Sequence, residues 1–112
     1  MTDCVFCEIV KSDPKGQILR KHGTTVVFEP LNPVTPGHLL VVPATHVKDA
    51  SEVPGITGLA MGAAAVEAQL AGQCNIITSV GPLATQTVFH LHIHIVPRRE
   101  GDGLLLPWSE VH

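Results

Sequence analysis

The sequence predicts an α+β fold, with a mainly antiparallel sheet of about five strands and one main helix. Three observations carry this. Short β-branched and apolar runs at 24–29, 38–42, 75–78 and 87–96 are separated by proline and glycine. One stretch, 51–71, repeats its apolar residues every three or four positions. A length of 112 residues, 45% of them hydrophobic and 15% charged, suits one core and one domain over 1–112.

Each element has its own reason. Thr24 to Glu29 is β-branched and aromatic, and Pro30, Pro33, Pro36 and Gly37 break the chain after it. His38 to Val42 is a second strand, stopped by Pro43. In the helical stretch Ser51 is the expected N-cap, with Pro54 tolerable in the first turn. Ile56, Leu59, Ala60, Ala63, Val66 and Leu70 form its apolar face, rich enough in small residues for a close approach. Asn75 to Thr78 is a third strand, Gly81-Pro82 a turn, and 87–96 the longest strand. Cys74, at the start of the third strand, reads as a small buried residue, and His22 and His112 as solvated side chains.

The totals exclude several functions. Net charge is −3 with no Lys/Arg run, so binding to a nucleic-acid polymer has no electrostatic basis. No apolar stretch reaches the roughly 20 residues of a membrane helix, so no membrane partner is expected. The start, MTDCVFCEIV, lacks a cationic n-region, and the three cysteines are an odd number. A cytoplasmic protein is the expectation.

The chemistry concentrates in His90-Leu91-His92-Ile93-His94, where three of seven histidines occupy alternate positions. On a strand, Phe89, Leu91, Ile93 and Ile95 would share a core face. Gln86, His90, His92 and His94 would then point into a cleft, the histidines about 7 Å apart. Two chemistries fit. The histidines could bind zinc and activate water, or one imidazole could attack phosphorus while its neighbours hold the phosphate oxygens. A metal-bound nitrogen has no lone pair left, so the two roles exclude each other at any one histidine. A second motif, Cys4-Val5-Phe6-Cys7, has ligand spacing for zinc, and is equally compatible with a redox pair or two buried thiols.

Taken together, three motifs resemble the histidine triad (HIT) family. They are Asp3-Cys-Val-Phe-Cys-Glu-Ile-Val10, then Asn32-Pro-Val-Thr-Pro-Gly-His38-Leu-Leu-Val-Val-Pro43-Ala-Thr-His46, and then Gln86-Thr87-Val88 followed by the triad. The resemblance implies a two-layer α+β homodimer that binds purine nucleotides and cleaves or transfers at the α-phosphate. It makes His92 the nucleophile, with His94 and His38 as the other catalytic residues on phosphate or leaving group. Gln86, Thr87, Val88, His94 and Ser79 match the phosphate-binding segment. Val5, Phe6, Ile9, Phe28, Leu31 and Leu40 match the apolar base pocket. It also implies a structural Zn²⁺ on Cys4, Cys7, His46 and His90, which would leave His92 unmetallated and the covalent step independent of metal.

The chain departs from the family pattern in places. Pro30 stands where an Asp or Asn usually reaches the ribose, so ribose recognition must come from elsewhere. Thr85 replaces a glycine before Gln86, and Ser79 an amide residue upstream. The segment between His46 and Gln86 is short by roughly two helical turns, which predicts a trimmed helix and altered dimer contacts. Trp108 would either cap the leaving-group pocket or anchor the tail. Three functions are compatible with all this: a nucleotide hydrolase working through His92, with a phosphoramidate, acyl-adenylate or dinucleoside polyphosphate as substrate; a nucleotide-binding module with little turnover; or a zinc hydrolase using the triad as ligands.

Overall fold

A computed structural model describes residues 4–109, so Asp3 and His112 lie outside the described residues. The order is α1 (Val5–Ser12), β1 (Ile18–His22), β2 (Thr25–Phe28), β3 (Leu39–Val42), α2 (Pro54–Ala71), β4 (Cys74–Ile77), a 3-10 turn (Pro82–Ala84) and β5 (Ile93–Pro97). The strands form one antiparallel sheet in the order β1-β2-β3-β5-β4. This is the α+β fold with one main helix that the sequence predicts.

The central strands are mostly apolar because both faces are covered, with Thr25 and His94 the polar exceptions. Val27, Val41, Ile93 and Ile95 lie beneath α2, while Val26, Phe28, Leu40 and Val42 pack with Phe6 and Ile9 of α1. β1 escaped the sequence reading because it is an edge strand. Its Ile18-Leu-Arg-Lys-His mixes charges into the pattern, and three of its five residues are exposed. α1 was also unforeseen. It is a two-turn helix, too short for periodicity to reveal, started by Cys4 and ended by Asp13 in the left-handed conformation.

α2 runs eighteen residues despite the short segment that holds it. Its N-cap is Val53, not Ser51. The Ser51 hydroxyl and N–H both donate to Asp49 Oδ1, and Pro54 begins the helix. The buried face is only partly the predicted one: Ala60 and Ala63 are in the core and Ile56 packs against it, but the other three predicted residues are not. Ala60, Ala63 and Ala64 meet the sheet, while Leu59, Val66 and Leu70 are 73%, 43% and 70% exposed. Alanine lets the helix axis approach the flat Val/Ile surface closely, and the larger residues are turned outward. Glu67 lies on the buried face, fully buried, and the Arg20 guanidinium donates to both its oxygens, with His22 2.6 Å from it. His22 is therefore a partner of this carboxylate and not a solvated side chain. Cys74 is half-buried against the α2 core, close to its expected role.

The predicted strand 87–96 is pairing strand only from Ile93. Residues before it run as irregular chain, held by Leu91 N–H donating to the Val47 carbonyl. Alternation survives in part: Leu91, Ile93 and Ile95 are fully buried, but Phe89 is 46% exposed and does not join that face.

Candidate active site and metal centre

Strand register places the site. Phe28, Leu40, His94 and Ile77 are successive cross-strand partners, so one row spans four strands on the α1 face. His94 sits at its centre. Beside it, Gly37 adopts φ +86°, and a Cβ there would lie 3.2 Å from the Pro97 ring. That position needs glycine, and the tight turn it makes delivers His38 against His94.

Backbone groups then fix the protonation pattern of the histidines. The Val34 N–H donates to His38 Nδ1 at 3.1 Å, so the neutral His38 ring carries its proton on Nε2. His38 Nε2–H donates to His94 Nδ1 at 2.9 Å, which leaves the His94 proton on Nε2. Burial pushes His94 down from 6.5 to about 4, with His92 and His38 adding to the effect, and burial lowers His38 also. The pair is neutral at pH 7 and ends in an outward N–H donor. His92 is wired independently. Its Nδ1–H donates to the His90 carbonyl at 2.8 Å, so the lone pair is on Nε2. Thr78, unnoticed in the sequence, donates its hydroxyl proton to the His92 carbonyl and holds this backbone in place.

An apolar cavity of about 450 Å³ adjoins these rings, and Val5, Phe6, Ile9, Phe28, Leu31 and Leu40 all line it with His38 and His94. The six positions predicted for a base pocket are thus brought together. Leu31 is 87% exposed and forms the rim. Phe6 stands edge-on to His92 at 5.1 Å and to Phe28 at 5.5 Å. Polar groups also reach this cavity: Glu29 and Asn32, flanking Pro30, and Lys15 and Gln17. The sequence reading gave them no role: Lys15, Gln17 and Glu29 lie outside the three motifs, and Asn32, which opens the second, was read only as part of its shape.

The phosphate segment is less uniform than predicted. Gln86 is buried and spent: its Oε1 accepts from Gly81 N–H, its Nε2 donates to the Lys48 and Val88 carbonyls, and its own N–H donates to Gly81. Gln86 braces the loop instead of facing the cleft. Thr87 is exposed, Val88 half-buried at the edge of the apolar cavity, and Ser79 lines a second cavity beyond His94. Thr85 has φ 75°, the left-handed region that disfavours a β-branched residue, which explains why a glycine suits this position.

His90 does not face the cleft. It is fully buried, and its Nε2–H donates to the Pro43 carbonyl at 2.8 Å, turning the Nδ1 lone pair toward the cysteines. Cys4 Sγ and Cys7 Sγ lie 3.4 and 3.5 Å from that nitrogen, and His46 Nδ1 lies 3.1 Å from Cys7 Sγ. Burial lowers the His90 pKa, keeping the ring neutral. The four ligand atoms lie within 4.8 Å of one another. Two sulfurs and two imidazole nitrogens in that space fit a tetrahedral zinc, whose bonds of about 2.0–2.3 Å need only slight closure of the cluster. The hydrogen bond from the far side of His90 is the support that metal-bound imidazoles usually have.

This arrangement defines a histidine triad protein, and the chain belongs to the HIT family, whose domain matches residues 11–101. It is 33% identical over 109 residues to the adenylylsulfatase HINT3 of Arabidopsis thaliana, covering 91% of this chain and 55% of that protein. It is 28% identical over 109 residues to the adenosine 5'-monophosphoramidase HNT1 of Saccharomyces cerevisiae, covering 94% and 69%. Among solved structures, a Zn-bound histidine triad family protein from Mycobacterium smegmatis superposes with a TM-score of 0.77 at 38% identity, covering 92% of this chain and 80% of that one.

Proposed function

We propose that this protein is a purine nucleotide hydrolase that cleaves at the α-phosphate through a nucleotidyl-His92 intermediate. The observation that carries the reading is the wiring of the histidines. His92 presents a lone pair on Nε2, and its Nδ1–H is already bonded to a carbonyl that stabilises the positive charge developing on attack. His92 Nε2 would bond to the α-phosphorus as the phosphorus–leaving-group bond breaks. Water then cleaves the N–P bond, releasing the nucleoside monophosphate and restoring the imidazole.

His94 supports this step as a hydrogen-bond donor to a phosphate oxygen. It is not a proton source, because His38 Nδ1 accepts from a backbone N–H that cannot be surrendered, so the neutral pair has no proton to spare. The leaving group therefore takes its proton from solvent. The apolar walls of the larger cavity suit a purine base, and Glu29 and Asn32, which also line it, would take over the ribose contact that Pro30 cannot make. Relatives named adenylylsulfatase and adenosine monophosphoramidase favour an adenylate with a non-nucleotide leaving group.

Zinc would be held by Cys4, Cys7, His46 and His90, tying α1 to the sheet. It would supply stability and no catalytic chemistry, since His92 points its lone pair elsewhere. The exposed Leu59, Val66 and Leu70 stripe, next to edge strand β4 with Ile76 40% exposed, fits a second copy of the chain and favours a homodimer.

The test is turnover of adenosine 5'-phosphoramidate and diadenosine polyphosphates by wild type, His92→Ala and His94→Ala, with and without chelator. The proposal predicts that wild-type chemistry survives brief chelation and that His92→Ala is inactive throughout. Activity of His92→Ala that chelator abolishes would replace it with a metal-water mechanism. Nucleotide binding without turnover in wild type would leave a binding module.

A further inference from the structure

Two cavities meet at Val34, His38 and His94. One is the apolar base cavity; the other, of about 300 Å³, extends over β4 and β5 toward the tail. If the base occupies the first and the α-phosphate meets His94 Nε2–H, whatever follows the phosphate enters the second. This step rests on the function proposed above.

The walls of the second cavity are largely apolar: Ile77 and Val96 from the sheet, and Leu104, Leu105 and Leu106 from the tail. Among the described residues lining it, Arg98 alone carries a full charge, and that charge is spent. Its Nε and Nη2 donate to Asp102, its Nη1 to Asn75 Oδ1, and its Nη2 also to the Leu104 carbonyl at 2.7 Å. Asp102 also accepts from the backbone N–H groups of Arg99 and Leu104, and the Arg98 guanidinium above all, with these two bonds, holds its carboxyl well below the usual carboxylate range. The clamp thus stays ionised and internally neutral over the working pH range, and it fixes the tail as a wall.

We infer that this second cavity is a leaving-group site for uncharged apolar groups, and that Arg98 is the positioning residue that builds it by pinning residues 104–106. A polyphosphate leaving group brings several negative charges and would find no cation to meet them. Desolvating those charges against leucines would be costly. An alkyl or aryl amine, by contrast, buries apolar surface there.

The experiment compares kcat/KM for four adenosine 5'-phosphate conjugates: the unsubstituted phosphoramidate, its N-hexyl derivative, its N-(5-carboxypentyl) derivative, and diadenosine tetraphosphate. The inference predicts that the N-hexyl substrate exceeds the carboxylate and the tetraphosphate by about tenfold or more. In Leu106→Asp and in Arg98→Gln that preference should shrink toward unity, mainly through a higher KM for the N-hexyl substrate. Equal use of charged and apolar conjugates by wild type would overturn the inference while leaving the hydrolase standing. A preference unmoved in both variants would do the same. Failure of every conjugate, the unsubstituted amide included, would overturn the parent function and this site with it.

Discussion

One backbone donor, the Val34 N–H, sets the character of the site. By occupying His38 Nδ1 it decides which nitrogen of His94 carries the proton, two rings away. The consequence for stability can be signed. The His94 pKa is lowered from 6.5 to about 4, so between those values the unfolded chain binds a proton the folded chain refuses. Stability is therefore lost as pH falls from about 6.5 to about 4, and the lowered His38 acts in the same direction. Thermal denaturation across this window should show a falling midpoint, and His94→Asn should flatten part of the slope. An unchanged slope would mean His94 titrates as it does in the unfolded chain. At Thr85 the strain of a left-handed β-branched residue costs about 1–2 kcal/mol. Thr85→Gly relieves it at some cost in unfolded-state entropy and should stabilise by up to about 1 kcal/mol. A lowered midpoint would show that the threonine side chain earns its place. The sequence made His92 and His94 legible because chemistry concentrates there. Strand alternation alone put His90 in the cleft, because it was extended into a segment that pairs with no strand; the family resemblance grouped it with Cys4, Cys7 and His46, where it lies.

The elements show where periodicity misleads. α2 buries alanines and exposes Leu59, Val66 and Leu70, since a rule that puts large apolar residues inward cannot separate a core face from a face awaiting a partner. Leu59→Glu with Leu70→Glu should therefore convert the proposed dimer to monomer in sedimentation while circular dichroism stays native. Retention of the dimer would move the interface elsewhere. β1 was invisible for a related reason: its anchor is the Arg20–Glu67–His22 cluster, which joins residues 45 and 47 positions apart. Arg20→Ala leaves a buried carboxylate with His22 alone and should destabilise by about 2 kcal/mol, discounted for the exposure of the arginine. Glu67→Met should cost less, because Arg20 is able to turn to solvent. The reverse ranking in urea denaturation would mean that the cluster's worth lies in α2 packing.

At the scale of the molecule, the sheet organises two separate candidate sites, one on its α1 face and one beyond the ends of β3 and β5. The apolar central strands were readable because both their faces are covered. The metal centre was readable only as a resemblance, because Cys4 and Cys7 lie 86 and 39 positions from the histidines they meet. If zinc closes that centre, prolonged chelation should lower the melting midpoint by roughly 10 °C or more, as loss of a tight native-state ligand does. Covalent chemistry at His92 should still be detectable in the chelated protein below its new midpoint. The most direct measurement of the central claim is rapid quenching of the protein with adenosine 5'-phosphoramidate, followed by peptide mass spectrometry. The account predicts an adenylyl group on His92, accumulating in wild type or His94→Ala and absent from His92→Ala. Turnover in wild type with no adduct at any time point, or an adduct persisting on another residue in His92→Ala, would contradict it.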